Sequence, residues 1–123
     1  MIELVVGVGT SSDATPGEVA ALVHGALAGA GLPRDSVVAL ATIATKSEEP
    51  AIVDLGWPVT AYSATELGAV EVPHPSAAVG ARTGTASVAE AAALMAAGAG
   101  AELVVTKQAS AHATVAVARR ASR

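Results

Sequence analysis

The chain contains two lysines, Lys46 and Lys107, and each follows an apolar run that reads as a strand. The side chains best suited to chemistry gather around them in sequence. They are Gly9-Thr10-Ser11-Ser12-Asp13, then Thr45, Ser47 and Glu48, then Gln108, Ser110 and His112. Two ammonium groups facing a polar loop beside helix N-termini would make a receptor for a carboxylate or a phosphate. Spacing alone fits ordinary exposed loop lysines better, because pockets are few per protein. For acid–base work the best candidate is His112, which sits in the loop near Lys107. A solvated histidine fits His112 better than a catalytic one.

Residue types remove other chemistries. With no cysteine there is no disulfide, thiolate metal site or cysteine nucleophile. His24, His74 and His112 lack paired ligand spacing, so neither a metal nor a cofactor is expected. Gly7-Val8-Gly9 lacks the third glycine of a dinucleotide fingerprint, position 12 being Ser, and reads as two glycines easing a tight turn. Ser110-Ala111-His112 has no nucleophile-elbow context. The net charge is −4 and the basic residues stay scattered until Arg119, Arg120 and Arg123, which argues against a nucleic-acid footprint. No apolar run reaches the ~18 residues of a membrane span. Met1 runs straight into Ile2-Glu3-Leu4-Val5-Val6 without a basic leader, so a cytoplasmic location is expected.

The elements that must position these residues alternate. Leu4–Val8 and Val37–Ile43 are continuous apolar runs, as strands buried on both faces are. Between them Thr15-Pro16-Gly17-Glu18 forms a capping box, and Val19, Leu22, Val23, Ala26 and Leu27 keep helical spacing up to Gly31. A short helix is expected near Ser47, a short strand at Val59–Tyr62, and a second capping box at Ser63-Ala64-Thr65-Glu66. Val70–Arg82 is irregular, with Ser76 placed to cap one turn. A third capping box, Ser87-Val88-Ala89-Glu90, opens a helix with Val88, Ala91, Leu94 and Met95 on one face. Glu102–Thr106 and Ala113–Ala118 are strands six residues apart, too few for a parallel crossover. The expected fold is α/β: one domain over residues 1–123, a three-layer sandwich on a mostly parallel sheet with an antiparallel C-terminal hairpin strand. Ligands in such sheets bind outside the carboxyl ends of the strands, where the loops after Val8, Ile43 and Thr106 fall.

Five blocks of the sequence are also similar to one family. Ala41-Thr42-Ile43-Ala44-Thr45-Lys46-Ser47-Glu48-Glu49 resembles its "ATI-x-x-K-x-x-E" stretch, and Tyr62-Ser63-Ala64-Thr65-Glu66-Leu67 its "FSAEEL". Val72-Pro73-His74-Pro75-Ser76 resembles "VPNPS", and Thr83-Gly84-Thr85-Ala86-Ser87-Val88-Ala89-Glu90-Ala91-Ala92-Ala93 resembles "VGTPSVAEAAA". Val104–Lys107 with Ala113–Arg119 resembles its closing hairpin. The family is the CobE protein together with the C-terminal domain of CbiG, the cobalt-precorrin-5A hydrolase of cobalamin (vitamin B12) biosynthesis. Lys46, Glu48, Ser87 and Lys107 fall on matching positions. Thr10-Ser11-Ser12-Asp13 departs from the basic stretch usual there, and Thr106 stands where proline often precedes the matching lysine.

The resemblance implies a tetrapyrrole or corrinoid intermediate as the partner, one bearing acetate and propionate carboxylates. Rim and resemblance together give a candidate ligand-binding set of Gly9, Thr10, Ser11, Thr42, Lys46, Glu48, Thr85, Ser87, Lys107, Gln108 and Ser110. Lys46, Lys107 and the helix N-termini at Thr15 and Ser87 suit such carboxylates. Three functions follow in order. The first is an accessory protein that binds or hands on a corrinoid intermediate. The second is a hydrolase that opens the lactone of a precorrin-5A-type intermediate with release of acetaldehyde, Glu48 or His112 activating the water. The third is a docking module for other enzymes of the cobalamin pathway.

Overall fold

A computed structural model describes residues 2–11, 13–68 and 88–121. Within these, β1 (Leu4–Thr10), α1 (Pro16–Gly29), β2 (Val37–Ile43), α2 (Pro50–Val53), β3 (Val59–Tyr62), α3 (Ala64–Gly68), α4 (Val88–Ala97), β4 (Glu102–Ala109) and β5 (Ala113–Arg119) follow in order. The strands form one sheet in the order β3-β2-β1-β5-β4. β1 pairs in parallel with β2, and β2 with β3, while β5 runs antiparallel to both β1 and β4. Four strands therefore share one direction and only β5 opposes them, although half of the pairings are antiparallel. The β4–β5 hairpin docks through its second strand, which leaves β4 at the edge.

Each face of the sheet carries helices. On one face Val19, Val23, Ala26 and Leu27 of α1, with Ala51 and Ile52 of α2, pack with Leu4, Val6, Val8, Leu40, Val115 and Val117. On the other, Leu67 of α3 and the alanines of α4 pack with Val5, Ala41 and Ala118. The three-layer arrangement follows from strands apolar on both faces, each of which needs its own cover.

Local chemistry explains most boundaries. The Thr15 hydroxyl accepts the Glu18 N–H at 3.1 Å, and Pro16 takes the first helical position, where its missing N–H costs nothing. At the far end Gly31 adopts φ 69°, the Leu32 N–H reaches the Leu27 carbonyl at 2.9 Å and the Gly31 N–H that of Ala28 at 3.1 Å. That is a Schellman closure, which needs a residue without Cβ at the left-handed position. The capping box of α3 forms in both directions, Ser63 N–H to Glu66 Oε1 at 2.8 Å and Glu66 N–H to Ser63 Oγ at 3.0 Å.

Three expectations change. The helix expected near Ser47 starts at Pro50, because Glu49 before the proline is held extended (ψ 127°) and only a short 3₁₀ turn, Ala44–Lys46, precedes it. β4 runs on to Ala109, so Lys107 and Gln108 lie within the strand and three residues rather than six join it to β5. Gly7 eases no turn. It sits inside β1, where a Cβ would stand 1.8 Å from the Ala89 carbonyl oxygen and 2.9 Å from the Ala93 nitrogen. The helix α4 therefore rests on bare backbone. The reading of Val70–Arg82, with its Ser76 cap, lies outside the described residues.

Candidate functional site

The carboxyl ends of β1, β2, β3 and β4 define one edge of the sheet, and the chain leaves it at residue 11, at residues 44–49, at Ser63 and at residues 110–112. Hydrogen bonds tie the first and last together. The Ser11 N–H donates to the His112 carbonyl at 2.9 Å and its hydroxyl to the same oxygen at 3.3 Å. Glu18 Oε2 accepts the His112 N–H at 2.7 Å and also the Ser110 hydroxyl. These bonds hold the Glu18 carboxyl below its ordinary pKa, Ser110 contributing most and then the His112 N–H, with burial opposing them. The capping box at Thr15 is thus half realised: the hydroxyl caps the helix, and the Glu18 carboxylate turns away to clasp the β4–β5 turn. A negative charge in the first turn of α1 answers the positive end of that helix from within the chain.

The segment 44–49 is joined more loosely. The Thr10 hydroxyl lies 3.4 Å from Glu49 Oε1. Lys46 is half-buried in its 3₁₀ turn, and Glu48 is exposed. Asp13, Glu18, Glu48 and Glu49 outnumber Lys46 along these loops, so an anion here would be held by individual donors rather than by a positive field.

The candidate residues divide. Gly9, Thr10, Ser11, Lys46, Glu48 and Ser110 stand at this edge, with Gln108 two residues before Ser110 and exposed. Thr42 does not. It is fully buried and its hydroxyl donates to the Val8 carbonyl at 2.7 Å, bracing β2 against β1. Lys107 lies below the edge, level with Gly7 across β5, since Val105 pairs with Val117 and Gln108 with Val115. Three strand spacings of ~4.8 Å separate β2 from β4, so the backbones at Lys46 and Lys107 are at least ~14 Å apart. Thr85 and Ser87, and with Ser87 the helix N-terminus proposed there, lie outside the described residues, as does His74. His24 and His112 are exposed. No contact joins Glu48 to His112 among the described residues.

The sequence reading missed one residue of consequence. Glu90, assigned to a capping box, is fully buried in α4, and its Oε2 accepts the backbone N–H of Lys107 at 2.9 Å. The available signal was a lone carboxylate in Val88-Ala89-Glu90-Ala91-Ala92-Ala93, a stretch otherwise of small apolar residues.

Fold and edge together define a three-layer α/β protein with a polar rim at the strand ends and a hairpin closing the sheet. A profile described as "Cobalamin synthesis G C-terminus" matches residues 4–118, and the chain belongs to that family of cobalamin biosynthesis. It is 40% identical over 121 residues to Protein CobE of Sinorhizobium sp., covering 94% of this chain and 79% of that one. It is 31% identical over 119 residues to a cobalt-precorrin-5A hydrolase of Priestia megaterium, covering 94% of this chain and 32% of that enzyme. The crystal structure of CobE, a protein from the cobalamin (vitamin B12) biosynthetic pathway, superposes with a TM-score of 0.86 at 31% identity, over 98% of this chain and 96% of that one. No described helix is long and apolar enough to cross a membrane.

Proposed function

We propose that the protein binds or hands on a corrinoid intermediate of cobalamin biosynthesis, with Lys46 and Lys107 each holding a different side-chain carboxylate of the macrocycle. The observation that carries this reading is the family match across residues 4–118. The spread of the two lysines supports it, since a ring with carboxylates round its perimeter presents them well apart. Bringing both ammonium groups onto one small anion would take both side chains at full stretch toward each other. The Ser11 and Ser110 hydroxyls already donate to the His112 carbonyl and to Glu18, so the carboxylates of the ligand fall to the lysines.

Titration of a hydrobyrinic-type corrinoid, followed through its visible spectrum, tests the proposal. Saturable binding is expected, weakened roughly 10-fold or more in a Lys46→Ala/Lys107→Ala double variant, because each lost contact to a charged group is worth about 1 kcal/mol or more. Equal affinity of the double variant and the parent would remove this site.

The 31% identity to a cobalt-precorrin-5A hydrolase favours a second reading, hydrolysis of the lactone with Glu48 or His112 activating water. The chain spans about a third of that enzyme. Both candidate bases are exposed. Acetaldehyde release by the isolated chain is the deciding assay; bound substrate without product would end this reading.

A further inference from the structure

We infer that Glu90 is a positioning residue for Lys107: its buried carboxylate holds the β-bulge that carries this lysine and so sets where the ammonium stands on β4. The inference rests on the proposed role of Lys107 in holding a ligand carboxylate, and it adds the device that aims it.

The bulge is visible in the register. Val105 pairs with Val117 and Gln108 with Val115, so Thr106 and Lys107 together oppose the single residue Ala116. Two residues facing one is a β-bulge, which removes a backbone group from the ladder and re-aims a side chain. A displaced N–H in a half-buried strand needs another acceptor. For Lys107 that acceptor is Glu90 Oε2, at 2.9 Å.

The position of Glu90 is fixed independently of the bulge. α4 lies directly on the backbone of β1 at Gly7, a contact with no room for even a methyl group. The chain of support therefore runs from β1 to α4, from α4 to Glu90, and from Glu90 to the edge strand. Packing alone does not ask for a carboxylate here. The flanking residues Val88, Ala89, Ala91, Ala92 and Ala93 are all buried and apolar, and a buried carboxylate carries a desolvation cost that another alanine would avoid. Glu90 Oε1 has no hydrogen-bond partner among the described residues, so the Lys107 N–H is the contact that justifies the group.

The test uses the full chain, labelled with nitrogen-15, and the variants Glu90→Gln and Glu90→Met. Gln keeps a neutral acceptor in the same shape, and Met fills the space with none. Hydrogen exchange at the Lys107 amide is expected to quicken about fivefold in Gln and 10-fold or more in Met, with the Val117 amide of β5 unmoved. Affinity for the hydrobyrinic-type corrinoid is expected to fall about three- to tenfold in each variant, and to fall no further when Glu90 is changed in a Lys107→Ala background. If Met prevents folding, Gln still gives both readings. Unchanged Lys107 exchange in the variants would overturn the inference, and so would losses at Glu90 and Lys107 that simply add. Parental affinity in Lys107→Ala, with Lys107 exchange responding to Glu90 in the parent, would instead overturn the binding role on which the inference rests.

Discussion

Glu18 shows how one carboxylate serves two elements. It lies in the first turn of α1, where negative charge is favoured, and it accepts the Ser110 hydroxyl and the His112 N–H from the β4–β5 turn. Hydrogen bonds made to its charged form lower its pKa, so folding stabilises the ionised group. The clasp is therefore complete at neutral pH and is lost as pH falls through the lowered folded value, below the ordinary glutamate range. A carbon-detected NMR titration is expected to place the Glu18 midpoint below those of the exposed glutamates, and Ser110→Ala to move it upward. A midpoint indifferent to that substitution would assign the shift elsewhere. Individual residues were the hardest scale to read in the sequence. Glu18, Glu90 and Thr42 carry ordinary local signatures, two in capping boxes and one in an apolar strand. Their partners lie 92, 17 and 34 positions away, and nothing in local spacing encodes such contacts.

Elements were far more legible, because their signals are local. Thr15, Pro16 and Gly31 bound α1 where cap chemistry says they should, and Ser63 with Glu66 does the same for α3. β4 was read short because its bulges interrupt period-two alternation before Lys107, and the apolar pattern ends sooner than the strand does. The role of Gly7 was hidden for a different reason: a glycine that admits a helix looks, in one dimension, like a glycine that admits a turn. Substitution separates the two. Gly7→Ala puts a methyl group into the Ala89 carbonyl and is expected to destabilise the fold by about 3 kcal/mol or more in urea unfolding, the upper range for overpacking. Gly25→Ala in α1 meets open space and is expected to stabilise by roughly 0.5–1 kcal/mol, through helix propensity alone. A mild effect at Gly7 would mean that α4 can lift from the sheet.

For the molecule as a whole, the sequence conveyed the layers but not the order of the strands. Apolar runs state that a strand is covered on both faces and are silent about its neighbours. Inserting β5 between β1 and β4 moves β4 to the edge and carries Lys107 away from Lys46. The two lysines thus stand on strands whose backbones are at least ~14 Å apart, which favours two separate posts over a pinch on one anion. These arrangements differ in their energetics. A pinch on one carboxylate couples its donors, whereas groups more than ~7–10 Å apart with no shared partner contribute independently, within about 0.5 kcal/mol. At physiological ionic strength the screening length is ~8 Å, shorter than the separation of their backbones, so with the ammonium groups on different carboxylates their fields overlap little. Lys46→Ala and Lys107→Ala are therefore expected to weaken corrinoid binding by amounts that add in the double variant, each with its own part of the salt dependence. Isothermal titration of the four proteins at two salt concentrations measures both. Strong coupling between the lysines would bring them onto one carboxylate and overturn the two-post arrangement.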